Sequence, residues 1–83
     1  MATSQRRRKM EVRETPESSS LARFSYDGRT QILEVEFRHG TIYDYYEVPE
    51  SVFAEMAAAP SKGRFFVYNV RDEYDFSQVR ADR

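Results

Sequence analysis

The chain of 83 residues contains no cysteine and only one histidine, His39. Without cysteine it can form neither a disulfide framework nor a thiolate metal site, and nothing in it indicates an oxidising compartment, so we expect a cytoplasmic protein. One histidine also falls short of the ligand sets of transition metals, so we expect no metal and no cofactor. The sequence places no nucleophile or orienting partner beside His39, which is better interpreted as a turn residue next to Gly40 than as a catalytic base. We therefore predict that the protein is not an enzyme.

Long apolar runs are also absent. The longest, such as residues 56–59, are far shorter than the roughly 20 residues that a membrane span needs, and no apolar signal core follows the basic residues 6–9. We expect neither a membrane partner nor export. The formal net charge is -1, which argues against binding nucleic acid through bulk electrostatic attraction, because domains that do so are usually strongly basic.

The two ends of the chain lack the apolar periodicity of helices and strands. We predict a disordered basic arm over residues 1–18, a folded domain over residues 19–77 and a frayed tail over residues 78–83. The basic cluster at residues 6–9 could contact RNA or an acidic surface, but a solvated tail is the simpler interpretation of such charges next to compensating glutamates.

The first half of the domain has the alternation of apolar and polar residues that is typical of β-strands. Residues 21–26 form a first strand that places Phe24 on the opposite face from Leu21. The Asp-Gly pair that follows is a strong hairpin signal, because Gly28 adopts positive φ at no steric cost. Residues 31–37 form a second strand with one face that must be buried. Its alternating apolar residues are Leu33, Val35 and Phe37.

The loop at Gly40 decides which way the tyrosines of the third strand point. A two-residue loop would bring Asp44 onto the apolar face. A three-residue loop, with Gly40 in a left-handed conformation, turns two tyrosines to the core through two strand pairs, Val35 with Tyr43 and Leu33 with Tyr45. This register places Glu34 opposite Asp44, which is mildly destabilising, but a buried unpaired carboxylate costs several times more. We predict the three-residue loop, which leaves Tyr46 on the outer face.

The second half of the domain reads as helical. Pro49 suits the first turn of a helix, because its missing N–H loses no hydrogen bond there, and it predicts a helix over residues 49–59 that Pro60 ends. Ser61 is then a natural N-cap for a second helix to about residue 71. With the third strand at about residues 42–48, the predicted fold is α+β: a three-stranded antiparallel β-meander followed by two short helices packed on one face.

A series of short motifs follows in a recognisable order over residues 19–76. They are Ser19-Ser20-Leu21, Tyr26-Asp27, Leu33-Glu34-Val35-Glu36-Phe37, Tyr43-Asp44-Tyr45, Val48-Pro49, Ser61-Lys62-Gly63, Asn69-Val70 and Tyr74. In this order they resemble the KTSC domain family, named after a C-terminal extension of some lysyl-tRNA synthetases and found also as a stand-alone bacterial or phage protein. The resemblance implies a domain of unknown function for which RNA binding is only suggested. Pro60 departs from the pattern, where an ordinary helical residue is expected.

The most interesting polar stretch runs from Ser61 through Lys62 and Gly63 to Arg64. At a helix N-terminus, free backbone N–H groups, the helix dipole, a hydroxyl and two cations can hold a phosphate. The simpler interpretation of the same residues is an N-cap followed by a glycine that lets the start of the helix pack closely. The glycine-rich lead-in of a phosphate-binding P-loop is absent.

Tyr46 is the one tyrosine of its strand that is expected to face outward, and one ring makes a poor platform for stacking bases. Arg23 and Arg38 are candidates for additional phosphate contacts. We expect a non-enzymatic accessory module that binds RNA; the alternative is a protein-interaction module that uses a sheet edge or the outer face. Four residues are expected to be structural: Tyr43, Tyr45, Pro49 and Gly40.

Overall fold

The computed structural model describes residues 10–16 and 20–80. Within these residues five antiparallel strands lie in the order β1 to β5, and two helices pack on one face of the sheet. The elements are, in chain order, β1 (Met10–Glu14), β2 (Leu21–Asp27), β3 (Ile32–Phe37), β4 (Ile42–Tyr45), α1 (Glu50–Ala58), α2 (Lys62–Asn69) and β5 (Phe76–Arg80). The α+β class is confirmed, but the meander has five strands rather than the predicted three.

The β3–β4 hairpin has the predicted three-residue loop. Gly40 has a φ of 105°, and the Phe37 N–H donates to the Thr41 carbonyl at 2.9 Å. The resulting strand pairs are those expected, Val35 with Tyr43, Leu33 with Tyr45 and Glu34 with Asp44. The left-handed glycine therefore determines which side chains of β4 face the helices.

The conformation of Gly40 makes a testable prediction. We expect Gly40→Ala to lower the free energy of unfolding by about 1–3 kcal/mol, because φ is 105° there although the added Cβ would meet open space. Gly28→Ala is the matched control, because Gly28, unlike Gly40, does not adopt the positive φ expected of it from the sequence. Its Cβ would lie 3.9 Å from the Tyr26 ring, an ordinary contact, and we expect a change within about 0.5 kcal/mol. Urea denaturation measures both, and equal midpoints for the two variants would contradict this explanation of the loop.

β1 corrects the prediction of a disordered arm. Residues 10–14 pair with β2 along their whole length, from Met10 opposite Asp27 to Glu14 opposite Arg23. β1 has little apolar periodicity of its own. It is stabilised by backbone pairing with β2 and by side-chain contacts with residues of other elements. Residues 1–9 and 17–18 of the predicted arm, which include the basic cluster at residues 6–9, lie outside the described residues.

Thr15 and Arg13 tie β1 to the domain. Thr15 is fully buried, and its hydroxyl donates to the Leu21 carbonyl at 2.7 Å. The Arg13 guanidinium lies over the Phe53 ring of α1, 5.4 Å from the centroid. The contact of Arg13 with Phe53 joins residues 40 apart in the sequence, so no local pattern predicts it.

β5 corrects the prediction of a frayed tail from residue 78. It pairs with β4, and the Phe76 ring packs against Tyr43 and Tyr45 with centroid distances of 5.5 and 5.4 Å. Backbone pairing with β4 and these two ring contacts hold a strand that the sequence does not predict. Residues 81–83 lie outside the described part of the chain.

Two smaller corrections concern strand ends. A register shift between Leu21 and Arg23 turns Leu21 inward, so it is buried in the core together with Phe24 instead of facing outward. β4 ends at Tyr45 rather than at residue 48, because Glu47 adopts a φ of 58° and turns the chain toward α1.

α1 is joined to the sheet by aromatic contacts and one buried hydrogen bond. Pro49 is the N-cap residue of this helix. The Phe53 ring packs against Phe24 and Tyr26 at centroid distances of 5.7 and 5.0 Å. The Tyr26 hydroxyl donates to the Val48 carbonyl at 2.6 Å, which satisfies a buried acceptor in the segment between β4 and α1.

α2 contributes one fully covered ring to the core. Phe66 is buried and packs edge-on against Phe37 of β3 and Tyr45 of β4, at centroid distances of 5.7 and 5.5 Å. The helix ends at Asn69, two residues before the predicted end. Neither helix in residues 10–16 and 20–80 is long and apolar enough to cross a membrane.

Candidate binding surfaces

The turn between the two helices uses most of its polar groups locally. The Ser61 hydroxyl accepts a hydrogen bond from the Arg64 N–H at 3.3 Å, so Ser61 is the predicted N-cap of α2. The Lys62 ammonium donates to the Ala59 carbonyl at 2.8 Å and so caps the C-terminus of α1, where a cation is favoured. These contacts fit the N-cap interpretation of residues 61–64 and leave Arg64 as the exposed cation of the turn.

Arg64 shares an outward face of α2 with Tyr68, because residues four apart lie one above the other on a helix. The Tyr68 side chain is 73% exposed, the most of any large apolar or aromatic residue described. Beside it lies a pocket of about 320 Å³ whose lining includes Pro60, Ser61, Arg64, Phe65 and Tyr68. We call this region, defined by those five residues, the Arg64–Tyr68 surface.

A second pocket, of about 340 Å³, lies on the other side of Tyr68 and has a different charge. Its lining includes two carboxylates, Glu55 and Glu73, together with Phe65, Tyr68 and Tyr74. The Tyr68 ring thus separates a cleft that contains a guanidinium from one that contains carboxylates. An anionic ligand is favoured on the Arg64 side and disfavoured on the other.

Arg23, on the outer face of the sheet, is paired with two carboxylates. Arg23 forms ion pairs with Glu36 and, at 3.5 Å, with Glu14. These two carboxylates, Glu36 foremost, raise the pKa of the Arg23 guanidinium. A phosphate would have to compete with them, so Arg23 is a weaker anion ligand than its charge suggests.

Two other features make the outer face unsuited to phosphates. Glu34 and Asp44 face each other across β3 and β4, and one Asp44 carboxylate oxygen is buried with no hydrogen-bond partner in the described residues. The Tyr46 hydroxyl shares a hydrogen bond with the Ser77 hydroxyl of β5. The outward tyrosine identified from the sequence is therefore tied to its neighbouring strand.

Arg38 lies at a third location, at the β3–β4 turn. Its guanidinium donates to the Thr15 carbonyl at 2.7 Å, and a pocket of about 290 Å³ is lined by Ser20, Phe37, Arg38 and His39. His39 lies in this turn and packs edge-on against Phe37 at 5.9 Å. The residues predicted to bind RNA are thus divided among the helix layer, the outer face and one hairpin.

Tyr43 and Tyr45 face inward as predicted, but to different degrees. Tyr45 is buried in the core, whereas Tyr43 packs against the core and keeps part of its surface exposed. Burial raises the pKa of Tyr45 above its ordinary value, and it does the same for Tyr26. Tyr45 is therefore part of the buried core, and Tyr43 packs at the margin of that core.

The raised pKa of Tyr45 predicts a loss of stability at alkaline pH. The folded state favours the protonated hydroxyl, so this stability is complete below the ordinary tyrosine pKa of about 10 and is lost as the pH rises through the folded-state value. We expect the free energy of unfolding to fall less steeply above pH ~10 in Tyr45→Phe than in the parent chain. Urea denaturation over a pH series measures this, and identical pH profiles would contradict it.

Among residues 10–16 and 20–80, no three His, Cys, Asp or Glu side chains lie close enough together to hold a metal ion.

The sequence alone does not single out Tyr68. It predicts that Phe65, Phe66, Tyr68 and Val70 all supply apolar surface to the second helix, and only the burial of Phe66 shows which of these rings point inward. With Phe66 assigned to the core, the spacing of four from Arg64 places Tyr68 on the outward side. That spacing is the signal that was available.

Comparison with known proteins settles the family. The KTSC domain model matches residues 17–74. The chain belongs to the KTSC domain family. This match spans β2 to α2, so β1 and β5 lie outside the matched residues.

Solved and curated proteins agree with this assignment. The structure is similar to the crystal structure of a KTSC domain protein from Yersinia pestis, with a TM-score of 0.78, 30% identity, and coverage of 87% of this chain and 100% of that one. A lysine–tRNA ligase of Nostoc punctiforme is 41% identical over 64 residues, which are 77% of this chain and 11% of the ligase. A protein from Tsukamurella paurometabola is 49% identical over 49 residues, 59% of this chain and 73% of that protein. This KTSC chain therefore spans about a tenth of the ligases that it resembles.

Proposed function

We propose that this KTSC domain is a non-enzymatic accessory module of the cytoplasm that binds single-stranded segments of RNA through the Arg64–Tyr68 surface. The observation that carries the proposal is the exposed Tyr68 ring, 73% accessible, one helical turn from Arg64 and beside an apolar pocket. KTSC is a family of uncharacterised function and not a known enzyme family. Relatives named lysine–tRNA ligases carry the domain as a small segment, which supports RNA as the ligand.

The chemistry of the surface suits one nucleotide step. A base that stacks on an aromatic side chain contributes about 1–3 kcal/mol regardless of its identity, and the guanidinium of Arg64 can pair with the phosphate next to it. Pro60 and Phe65 supply an apolar floor beside the ring. With a net charge of -1, the rest of the chain adds little attraction, so we expect weak binding without sequence preference.

Fluorescence anisotropy with a pool of short single-stranded and hairpin RNAs tests the proposal. We expect binding at low salt that weakens as salt rises, with a logarithmic slope of about 0.7 for each phosphate contacted. The slope should be shallow, because the surface offers one exposed arginine. No detectable binding to the pool at low salt would end the proposal.

A protein-interaction module is the second candidate function. It is favoured by the exposed apolar side chains of β5, since Phe76 is 54% and Val79 52% accessible. Pairing along a strand edge relies on backbone hydrogen bonds and apolar contacts, so unlike RNA binding it should respond little to salt.

A further inference from the structure

The two edges of the sheet differ in their protection against pairing. β1, at one edge, contains three charged residues among five, Glu11, Arg13 and Glu14. β5, at the other, has the sequence Phe-Ser-Gln-Val-Arg, with its one charge at the end and exposed apolar side chains at Phe76 and Val79. Charged residues are a common device against edge pairing, and β1 has them where β5 does not.

Among the described residues, no strand pairs with the side of β5 that faces away from β4, and the backbone of β5 presents hydrogen-bonding groups on this open side. The Tyr46 N–H donates to the Asp75 carbonyl at 2.9 Å, so Asp75 and, two residues on, Ser77 direct their backbone groups at β4. Alternate residues of an antiparallel ladder point to opposite sides. Phe76 and Gln78 therefore direct their N–H and C=O groups away from β4, toward the open edge.

The charges flanking β5 indicate what pairs there. Asp72, Glu73 and Asp75 precede the strand, with Arg71 paired to Asp72 at 3.6 Å, and Arg80 ends it. When a second copy of this segment pairs antiparallel, its Arg80 end lies beside the acidic residues that precede β5 in the first copy. By symmetry, the Arg80 end of the first copy lies beside the acidic residues of the second. A second copy of the chain therefore places opposite charges together at both ends of this edge.

We propose that β5 pairs antiparallel with β5 of a second copy, about a two-fold axis near Ser77, to form a continuous ten-stranded sheet. In this register Phe76 lies opposite Gln78 of the second copy, so the outward groups of both residues form about four backbone hydrogen bonds. The irregularity in the pairing with β4 near Val79 ends the ladder. This proposal rests on the second candidate function and names its partner, a second copy of the chain. The β5 edge is a different surface from Arg64 and Tyr68, so absence of the dimer would not contradict RNA binding.

Sedimentation equilibrium of the full chain from micromolar to millimolar concentration tests the pairing. We expect the mean mass to rise from the 9.8 kDa of one chain toward twice that value. In the same range, hydrogen exchange at the amides of Phe76 and Gln78 should slow, while exchange at Val12 on the other edge should not. A mass that stays at one chain, or a dimer in which those two amides stay unprotected, overturns the proposal.

Matched proline variants locate the edge. Gln78→Pro removes an outward N–H without changing charge, and should raise the dissociation constant by about tenfold or more. Val12→Pro is the control, because the Thr15 N–H donates to the Ala22 carbonyl and the same alternation turns the Val12 N–H to the open side of β1. It should dimerise like the parent chain, and equal weakening by both variants overturns the proposal.

Exchanging the charges at Asp75 and Arg80 tests the pairing without proline, which can disturb folding. Asp75→Arg and Arg80→Asp should each weaken the dimer, because each places like charges at the junction of start and end. The double variant Asp75→Arg, Arg80→Asp should recover most of the loss. Failure of the double variant to recover affinity would contradict the antiparallel register.

Discussion

Phe66→Ala is expected to lower the free energy of unfolding by about 3–5 kcal/mol. Phe66 is the buried ring of α2, and it closes the inner face by contacting Phe37 and Tyr45. Truncation leaves a cavity under the helix and removes both edge-on ring contacts. Because a domain has only about 5–15 kcal/mol of stability in all, we expect a substantial unfolded fraction at ambient temperature.

The neighbouring residue provides the control for Phe66→Ala. Val67 lies on the same helix but is 38% exposed, so Val67→Ala should change the free energy of unfolding by no more than about 0.5 kcal/mol. Urea denaturation followed by circular dichroism measures both variants. Similar losses in the two would mean that helix propensity, and not core packing, determines the stability of α2.

Tyr68→Ala is expected to weaken RNA binding by about tenfold to a hundredfold, the loss of one base stacked on an aromatic ring. Tyr68 is exposed and is not part of the buried core, so the variant should remain folded. Tyr68→Phe retains the ring and should retain most of the affinity. An equal loss in the two variants would point to the hydroxyl instead of stacking, and no loss in either would remove Tyr68 from the site.

Arg64 contributes differently to the same binding. Arg64→Gln should weaken binding uniformly across RNA sequences and lower the salt slope by the share of about one phosphate. Arg23→Gln is a suitable comparison, because Arg23 is already paired with Glu36 and Glu14. This variant should leave the salt slope unchanged. Anisotropy over a salt series distinguishes the two.

The central part of the fold could be predicted because its determinants are local. The alternation of Leu33, Val35 and Phe37 and the parity of the Gly40 loop together specify the register of β3 and β4, which the structure reproduces. Pro49 and Ser61 mark the starts of the helices through their own backbone and side-chain chemistry. The KTSC match covers this same region, residues 17–74.

The outer strands could not be predicted because their determinants are distant. β1 has little apolar periodicity and is held by pairing with β2 and by the contact of Arg13 with Phe53. β5 is anchored by Phe76 on Tyr43 and Tyr45. These contacts are made with residues of other elements, so the local sequence of each strand does not reveal them.

The candidate site was predicted only in part, for a similar reason. The sequence identifies Arg64, but it does not show that Lys62 caps α1 or that Arg23 is neutralised by carboxylates. Both effects depend on which groups the fold brings within hydrogen-bonding distance. Tyr68 emerges only after Phe66 is assigned to the core.

Amide chemical-shift mapping during an RNA titration distinguishes binding by the helix layer from binding by the sheet. We expect the largest shifts at Ser61, Gly63, Arg64 and Tyr68, with little change on the outer face of the sheet. Shifts concentrated around Arg23 and Tyr46 would contradict binding by the helix layer.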